Sequence, residues 1–109
     1  MPEETKELKE IRARMAGLCA RAEQCSSDIR KKILAEGLSK EDADEIITKL
    51  KEEKFLDDKR YVRSYIDEKF RLNKWGRIKI RYYLKMKGLD ENMIADGLRE
   101  INEEDYRDL

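Results

Sequence analysis

Residues 75–90 read WGRIKIRYYLKMKGLD, and this stretch decides the fold. Apolar side chains recur in it at steps of three and four, which is typical of a helix that buries one face. These positions are Ile80, Tyr83 and Leu84. Gly88 then offers the left-handed residue that commonly ends a helix, and Asp90 is a good N-cap for a following one. The stretch therefore predicts a turn, an amphipathic helix, a short link and the start of another helix.

The same order of residues occurs 51 positions earlier in the chain. Ile29-Arg30 precedes Ile80-Arg81 by this offset, and Gly37-Leu38 precedes Gly88-Leu89. The offset also pairs the apolar positions Ile33 with Leu84, Ala43 with Ile94, Ile47 with Leu98, Leu50 with Ile101, Ile11 with Val62, Met15 with Ile66, and Cys19 with Phe70. A repeat of this length and periodicity indicates a three-helix unit that completes its core against its neighbours.

The repeat divides the chain into three parts: residues 1–56 and 57–102 form two three-helix units, and residues 103–109 begin a third, truncated unit. We expect an all-α fold in which these helix-turn-helix-like units stack in an elongated array. An incomplete third unit leaves a core face uncovered near Leu109, so we also expect weak self-association through that end.

Capping residues locate the other predicted helices. The first helix runs from about Glu4 to Glu23 and presents Cys19 as a small buried hydrophobe. The predicted N-caps are Ser26 or Ser27 for the second helix, Ser39 for the third, and Asp57 or Asp58 for the fourth.

Composition excludes several classes of protein. The chain has 109 residues, 46% of them charged, with 25 basic and 25 acidic side chains, so the formal net charge is zero and nonspecific binding by bulk charge is not expected. One proline and five glycines are too few for a turn-rich all-β fold. The absence of histidine and the lone cysteines Cys19 and Cys25 argue against a metal site, a cofactor site and catalysis. No apolar run is long enough to cross a membrane, so we expect a cytoplasmic protein.

A basic segment is the strongest candidate for a binding site. Residues 69–87 contain eight lysines and arginines and no acid. Arg77, Arg81 and Lys85 are spaced i, i+4 and i+8, so they form one stripe on a helix despite their mutual repulsion. Such a stripe favours an anionic partner, either nucleic-acid phosphates or an acidic protein groove. The alternative is a solvated face balanced by Asp90, Glu91 and Asp96 of the next helix.

Aromatic and basic neighbours extend this candidate site. Trp75 either stacks on a base, anchors a protein interface or fills the seam between the repeats. Tyr82 is a better surface candidate than Tyr83, which follows the core pattern. The full predicted set is Lys74, Trp75, Arg77, Arg81, Tyr82, Lys85 and Lys87, with Arg30 and Lys31 at the equivalent place in the first unit. For Arg30, a salt bridge to an acid such as Asp57 is an equally good explanation.

Three stretches resemble the RecX family of recombinase regulators: EKFLDDKRY at residues 53–61, the stretch at 75–90, and residues 25–38 with their Ser, Ile, Arg-Lys-Lys and Gly-Leu pattern. The resemblance covers roughly residues 18–101. It departs from the family at Arg77, where the family often has proline, and in the missing third repeat.

The resemblance implies a non-enzymatic protein that binds RecA filaments on single-stranded DNA. Family members modulate RecA, usually by inhibiting its ATPase, strand exchange and coprotease activities, and so act in homologous recombination, DNA repair and the SOS response. The partners implied are the RecA filament and single-stranded DNA, reached directly or through the filament, with no cofactor.

Two other hypotheses stay open. The second and third helices, linked by residues 36–39, have the spacing of a helix-turn-helix that acts on DNA directly. The third helix, however, carries Glu41, Asp42, Asp44 and Glu45, so the fifth helix would have to read the DNA. The remaining hypothesis is a repeat scaffold for some other protein.

Overall fold

The computed structural model describes residues 5–100 of the chain, and these residues form six α-helices and no strand. The helices are α1 (Lys6–Arg21), α2 (Ser26–Ala35), α3 (Lys40–Glu52), α4 (Asp58–Arg71), α5 (Arg77–Met86) and α6 (Glu91–Arg99). The all-α prediction is confirmed. In this part of the chain no helix is both long and apolar enough to span a bilayer.

The chain divides into two compact units, Met1–Asp58 and Lys59–Leu109. The division into repeats at 1–56 and 57–102 stays a prediction, and residues 103–109 lie outside the described part. The predicted pairing of Leu50 with Ile101 also extends beyond it.

The core of the first unit is built from one face of each of its three helices. Ile29 and Ile33 of α2 have no solvent exposure at all, and the segment after α3 adds Leu56. The other members of this core cluster are Leu8, Ile11, Met15 and Cys19 from α1, and Ala43, Ile46, Ile47 and Leu50 from α3. Cys19 therefore packs as a small apolar side chain, as predicted.

The second unit buries side chains at corresponding positions. Ile80 and Leu84 of α5 are completely buried, as are their counterparts Ile29 and Ile33 in α2. Helices α2 and α5 begin and end at positions separated by the same 51 residues. The other buried residues of this unit are Tyr61, Val62, Ile66, Phe70, Leu89, Ile94, Gly97 and Leu98.

Most predicted helix ends are confirmed. Ser39 Oγ accepts a hydrogen bond from the Asp42 N–H (3.1 Å), and Asp90 Oδ2 accepts one from the Met93 N–H (3.2 Å). Gly37 (φ +92°) and Gly88 (φ +80°) adopt the left-handed conformation expected after α2 and α5.

The predicted cap of α2 is wrong. Ser26 is already the first helical residue, and Cys25 at the N-cap position makes no capping bond. The acceptor comes from Asp58 instead, whose Oδ1 receives hydrogen bonds from the Ser26 N–H (2.8 Å) and the Ser26 hydroxyl (3.0 Å). A carboxylate suits this place because it carries the charge that a helix N-terminus favours.

The role predicted for Tyr83 is also wrong. Its side chain remains 39% exposed, whereas Ile80 and Leu84 alone are buried on α5. The Tyr83 ring lies against Trp75 at the edge of the unit. Trp75 therefore gives Tyr83 an apolar neighbour outside the core.

Gly97 marks a close approach between α6 and α4. A Cβ atom placed on Gly97 would lie 2.8 Å from both Val62 Cγ1 and Ile66 Cδ1, which is shorter than van der Waals contact. The position equivalent to Gly97 in the first unit is Ile46, which is buried. The two units therefore fill this position in different ways.

We predict opposite effects on stability for alanine at two helical glycines. Gly97→Ala should lower the free energy of unfolding by about 1 kcal/mol, because overpacking costs roughly 1–3 kcal/mol and the gain in helix propensity returns only part of it. Gly17→Ala in α1 is the matched control: its Cβ would meet nothing within 4 Å, so stability should rise by about 0.5–1 kcal/mol. Thermal unfolding followed by circular dichroism tests both, and a higher melting temperature for Gly97→Ala would contradict the close approach.

Candidate interaction surface on helix α5

Helix α5 is held against its unit by two aliphatic side chains and entered through a tight turn. Ile80 and Leu84 are fully buried and fix the rotation of the helix about its axis. Before it, Lys74 is left-handed (φ +59°) and the Trp75 N–H donates to the Lys69 carbonyl (2.9 Å). The helix begins after Gly76 without a side-chain cap and with no acid in its first turn.

The predicted stripe of Arg77, Arg81 and Lys85, here called the basic row, lies on an exposed flank of α5. One acid of the next helix contacts two of its members: the Arg81 guanidinium pairs with Glu91, and Lys85 Nζ lies 3.1 Å from Glu91 Oε2. These pairs are about half exposed, and exposed ion pairs contribute only about 0–1 kcal/mol. A stronger anionic partner could therefore displace Glu91.

The other two acids proposed to balance the row have different roles. Asp90 caps α6 through the Met93 N–H, and Asp96 pairs with Arg99 within α6. Of the three acids predicted to balance the basic row, only Glu91 therefore pairs with it.

Trp75 is half-buried and contacts three residues of its own unit. Its ring centroid is 5.1 Å from that of Tyr83, and two ammonium groups lie over the indole, Lys79 Nζ at 4.4 Å and Lys69 Nζ at 5.1 Å. Such cation–π contacts contribute roughly 0.5–1 kcal/mol at exposed sites. Lys79 and Lys69 were absent from the predicted site; the signal for Lys79 was its position four residues after Trp75.

Tyr82 and Lys87 take separate places around α5. Tyr82 is 58% exposed, as predicted, with its ring edge-on to Tyr83 at 5.3 Å. Lys87 is half-buried, and its Nζ lies 5.9 Å above the Tyr61 ring, away from the basic row. Burial raises the pKa of Tyr65 nearby, and the positive charge of Lys87 partly opposes this rise. Lys74 is exposed in the turn before the helix.

The smaller basic patch on α2 has a partner other than the one proposed. Arg30 forms an exposed ion pair with Asp44 of α3, not with Asp57. Helices α2 and α3 pack together within the first unit, which brings the Arg30 guanidinium and the Asp44 carboxylate into contact. Lys31 is exposed. Arg30 and Arg81 occupy equivalent positions, and each pairs with an acid of the helix that follows it.

Sequence reasoning missed two exposed apolar residues on α5. Ile78 is 88% and Met86 65% exposed, and together with Tyr82 they follow an i, i+4, i+8 spacing. The surface over this part of the helix is open and shallow, and it is lined by Gly76, Arg77, Ile78, Lys79, Tyr82 and Tyr83. The i, i+4, i+8 spacing of these three residues is visible in the sequence. The spacing alone does not show that they lie on a different side of the helix from the buried Ile80 and Leu84.

The two cysteines are buried, and they lie far from α5 along the sequence. Cys25 has no solvent exposure, and its Sγ lies 3.4 Å from Ser27 Oγ. Burial raises the pKa of the Cys25 thiol above its usual 9.0. Within residues 5–100 no cluster of three cysteine or acidic side chains could hold a metal ion.

Comparison with known proteins gives consistent matches. A family model described as RecX, second three-helix domain, matches residues 57–98. The regulatory protein RecX of Clostridium perfringens (strain 13 / Type A) is 36% identical over 81 residues, which is 74% of this chain and 37% of that protein. The regulatory protein RecX of Prosthecochloris aestuarii is 30% identical over 89 residues, which is 82% of this chain and 59% of that protein.

A solved structure agrees with these matches. The crystal structure of a regulatory protein RecX superposes with a TM-score of 0.79 and 27% identity, covering 87% of this chain and 47% of that one. This chain therefore spans about a third to three-fifths of the length of the relatives it matches.

We predict that the thiols of the native protein do not react with an aromatic disulfide reagent at pH 8, whereas both react after unfolding in guanidinium chloride. Burial excludes the reagent, and the raised pKa of Cys25 keeps its thiol protonated.

The contribution of Cys25 to stability is fully present below the unfolded pKa of 9.0 and is lost as pH rises above it, because the unfolded thiol ionises first. Cys25→Ala should reduce this alkaline loss; an identical slope of stability against pH in both proteins would contradict it.

Proposed function

The chain belongs to the RecX family, and from this membership we propose that it binds RecA filaments on single-stranded DNA and regulates, chiefly by inhibition, their recombinase, ATPase and coprotease activities. The relatives are named regulatory proteins, which supports a regulatory role. Binding to RecA, inhibition and the absence of enzymatic activity are parts of the proposal. So are roles in homologous recombination, DNA repair and the SOS response.

The observation that supports the proposal is the basic row on α5. Its three cations share one exposed flank, and no acid lies between residues 69 and 87 to neutralise them from within the segment. Glu91 balances Arg81 and Lys85 only through exposed ion pairs. Cations arranged in this way increase the encounter rate with a negatively charged partner and fix the register in which it docks.

The proposed mechanism is stoichiometric. The chain binds along the filament, and its basic row meets acidic protein surface or DNA phosphates. A ligand that binds one state of the filament more tightly than another shifts the filament toward that state. Assembly, turnover or access of other proteins then changes without any covalent step.

A second candidate is direct action on DNA as a helix-turn-helix-like module. The exposed Tyr82 ring beside the basic row favours it, because stacked bases and phosphates need those two chemistries. The outer side of α3 opposes it, since Glu41 and Asp44 are exposed there and would meet the DNA backbone. Salt titration on bare duplex DNA separates the candidates, because direct phosphate contacts weaken steeply with salt.

The first test is the single-stranded-DNA-dependent ATPase of the cognate RecA, with this chain titrated in. We expect a saturating decrease at concentrations stoichiometric with RecA. A rate that is unchanged at saturating protein, with no binding of the filament by sedimentation, would contradict the proposal for this chain.

Reversing the charge of the basic row should weaken filament binding by about 10-fold or more, because complementary charges become repulsive. The variant is Arg77→Glu, Arg81→Glu and Lys85→Glu, measured by fluorescence anisotropy on labelled filaments. The matched control, Lys6→Glu, Lys9→Glu and Lys51→Glu, changes the net charge equally at exposed positions of the first unit and should bind within about twofold of the parent.

If charge reversal disturbs folding, glutamine at the same three positions keeps the test valid, with circular dichroism as the check. Unchanged affinity in a folded variant would remove the basic row from the interface.

Removing the competing carboxylate should have the opposite effect. Glu91→Gln deletes the acid that contacts Arg81 and Lys85, so filament affinity should rise about two- to fivefold at low salt, corresponding to a fraction of an exposed ion pair. Glu52→Gln is the control, since it makes the same charge change at an exposed position on α3. Equal affinities for the two variants would show that Glu91 does not compete with the partner.

A further inference from the structure

The outer face of α5 carries an apolar row where a surface helix normally carries polar side chains. Ile78, Tyr82 and Met86, here called the apolar row, are 88%, 58% and 65% exposed. At 100° per residue the row lies on the side of the helix opposite the buried Ile80 and Leu84. A helix with apolar residues on two opposite faces needs a second contact to cover the outer one.

The exposed large apolar side chains of the described residues are concentrated in one segment of the chain, which includes the apolar row. All five large apolar side chains that are exposed within residues 5–100 lie between Leu72 and Met86. Scattered exposed hydrophobic residues are ordinary, but a contiguous apolar patch with polar edges marks an interaction site.

The first unit provides an internal comparison. The positions of α2 that are equivalent to the apolar row, 51 residues earlier, are Ser27, Lys31 and Ala35. Helix α2 has the same length as α5 and the same two fully buried core positions. The three-helix unit therefore folds without an apolar row, and the row on α5 is not needed for its core.

The charges around the row define what can cover it. The basic row runs along one flank, and Lys79 lies on the other flank with its ammonium over Trp75. Helix α5 itself contains no acid, and the surface over its first turns is open and shallow. The complementary surface is apolar at its centre and acidic at its rim.

We propose that the apolar row is the docking site for a protein partner that inserts apolar side chains between flanking acids. The proposal rests on the proposed function, under which this partner is the recombinase and not the DNA. Aliphatic side chains such as Ile78 and Met86 contribute little against a phosphate backbone, and bases stack on aromatic rings. Protein interfaces, in contrast, bury apolar anchors at their centre and place charges at the rim.

The test uses the residues of α2 as replacements. The variant Ile78→Ser, Tyr82→Lys and Met86→Ala gives α5 the side chains that the equivalent positions of α2 already carry, so the fold should be kept. The variant also adds one positive charge, so its affinity for a protein partner and its affinity for DNA should change in different directions. Filament affinity should fall by about 10-fold or more, whereas affinity for bare single-stranded DNA should stay the same or rise.

The control variant is Leu72→Ser, which removes a 77% exposed apolar side chain outside the row. Its filament affinity should stay within about twofold of the parent. Filament affinity of the triple variant within twofold of the parent would overturn the proposal, as would a parallel loss of affinity for bare DNA.

A peptide probe keeps the proposal testable apart from the recombinase. It is a helical peptide with three leucines on one face flanked by aspartate and glutamate; its control has serines in place of the leucines. The docking site is supported if the parent protein binds the leucine peptide and not the serine peptide, and if the triple variant loses this binding. If the same protein does not bind the filament, only the proposed function fails. If neither the leucine peptide nor the filament distinguishes the parent from the triple variant, the docking site is rejected.

Discussion

The fold depends on the complete burial of two aliphatic side chains on the middle helix of each unit. Ile29 and Ile33 on α2, and Ile80 and Leu84 on α5, leave no surface in contact with water. Short helices of ten residues are unstable alone, so this burial is what keeps them helical. It also fixes which side of α5 points outward, and both the basic row and the apolar row follow from that rotation.

The parts of the structure that were predictable from the sequence are those decided by nearby residues. Ser39, Asp90, Gly37 and Gly88 act within one turn of the helix ends they define, and each was located correctly. The cap of α2 was not predictable in this way, because the acceptor on Asp58 is 32 residues from Ser26. Local rules choose the nearest hydroxyl, whereas the folded chain supplied a charged acceptor from far along the sequence.

The candidate site was predicted in part for a related reason. The basic row was found because charge at i, i+4 spacing needs no knowledge of packing. Tyr83 was misplaced because periodicity alone does not show that Trp75 offers it a neighbour outside the core. Ile78 and Met86 were missed because an apolar residue is first assumed to face inward. The exposed positions of Ile78 and Met86 became clear only from the packing of α5 within its own unit.

The distribution of aromatic residues has a spectroscopic consequence. The chain has one tryptophan and five tyrosines, and all of them lie at Tyr61 or beyond, whereas Phe55 is the only aromatic residue before Asp58. Fluorescence excited at 295 nm therefore originates from a single residue of the second unit, an indole in contact with Tyr83 and two lysine ammonium groups. The first unit contributes no tryptophan emission of its own, and an emission change on adding a ligand reports on the surroundings of the indole beside α5 without any label.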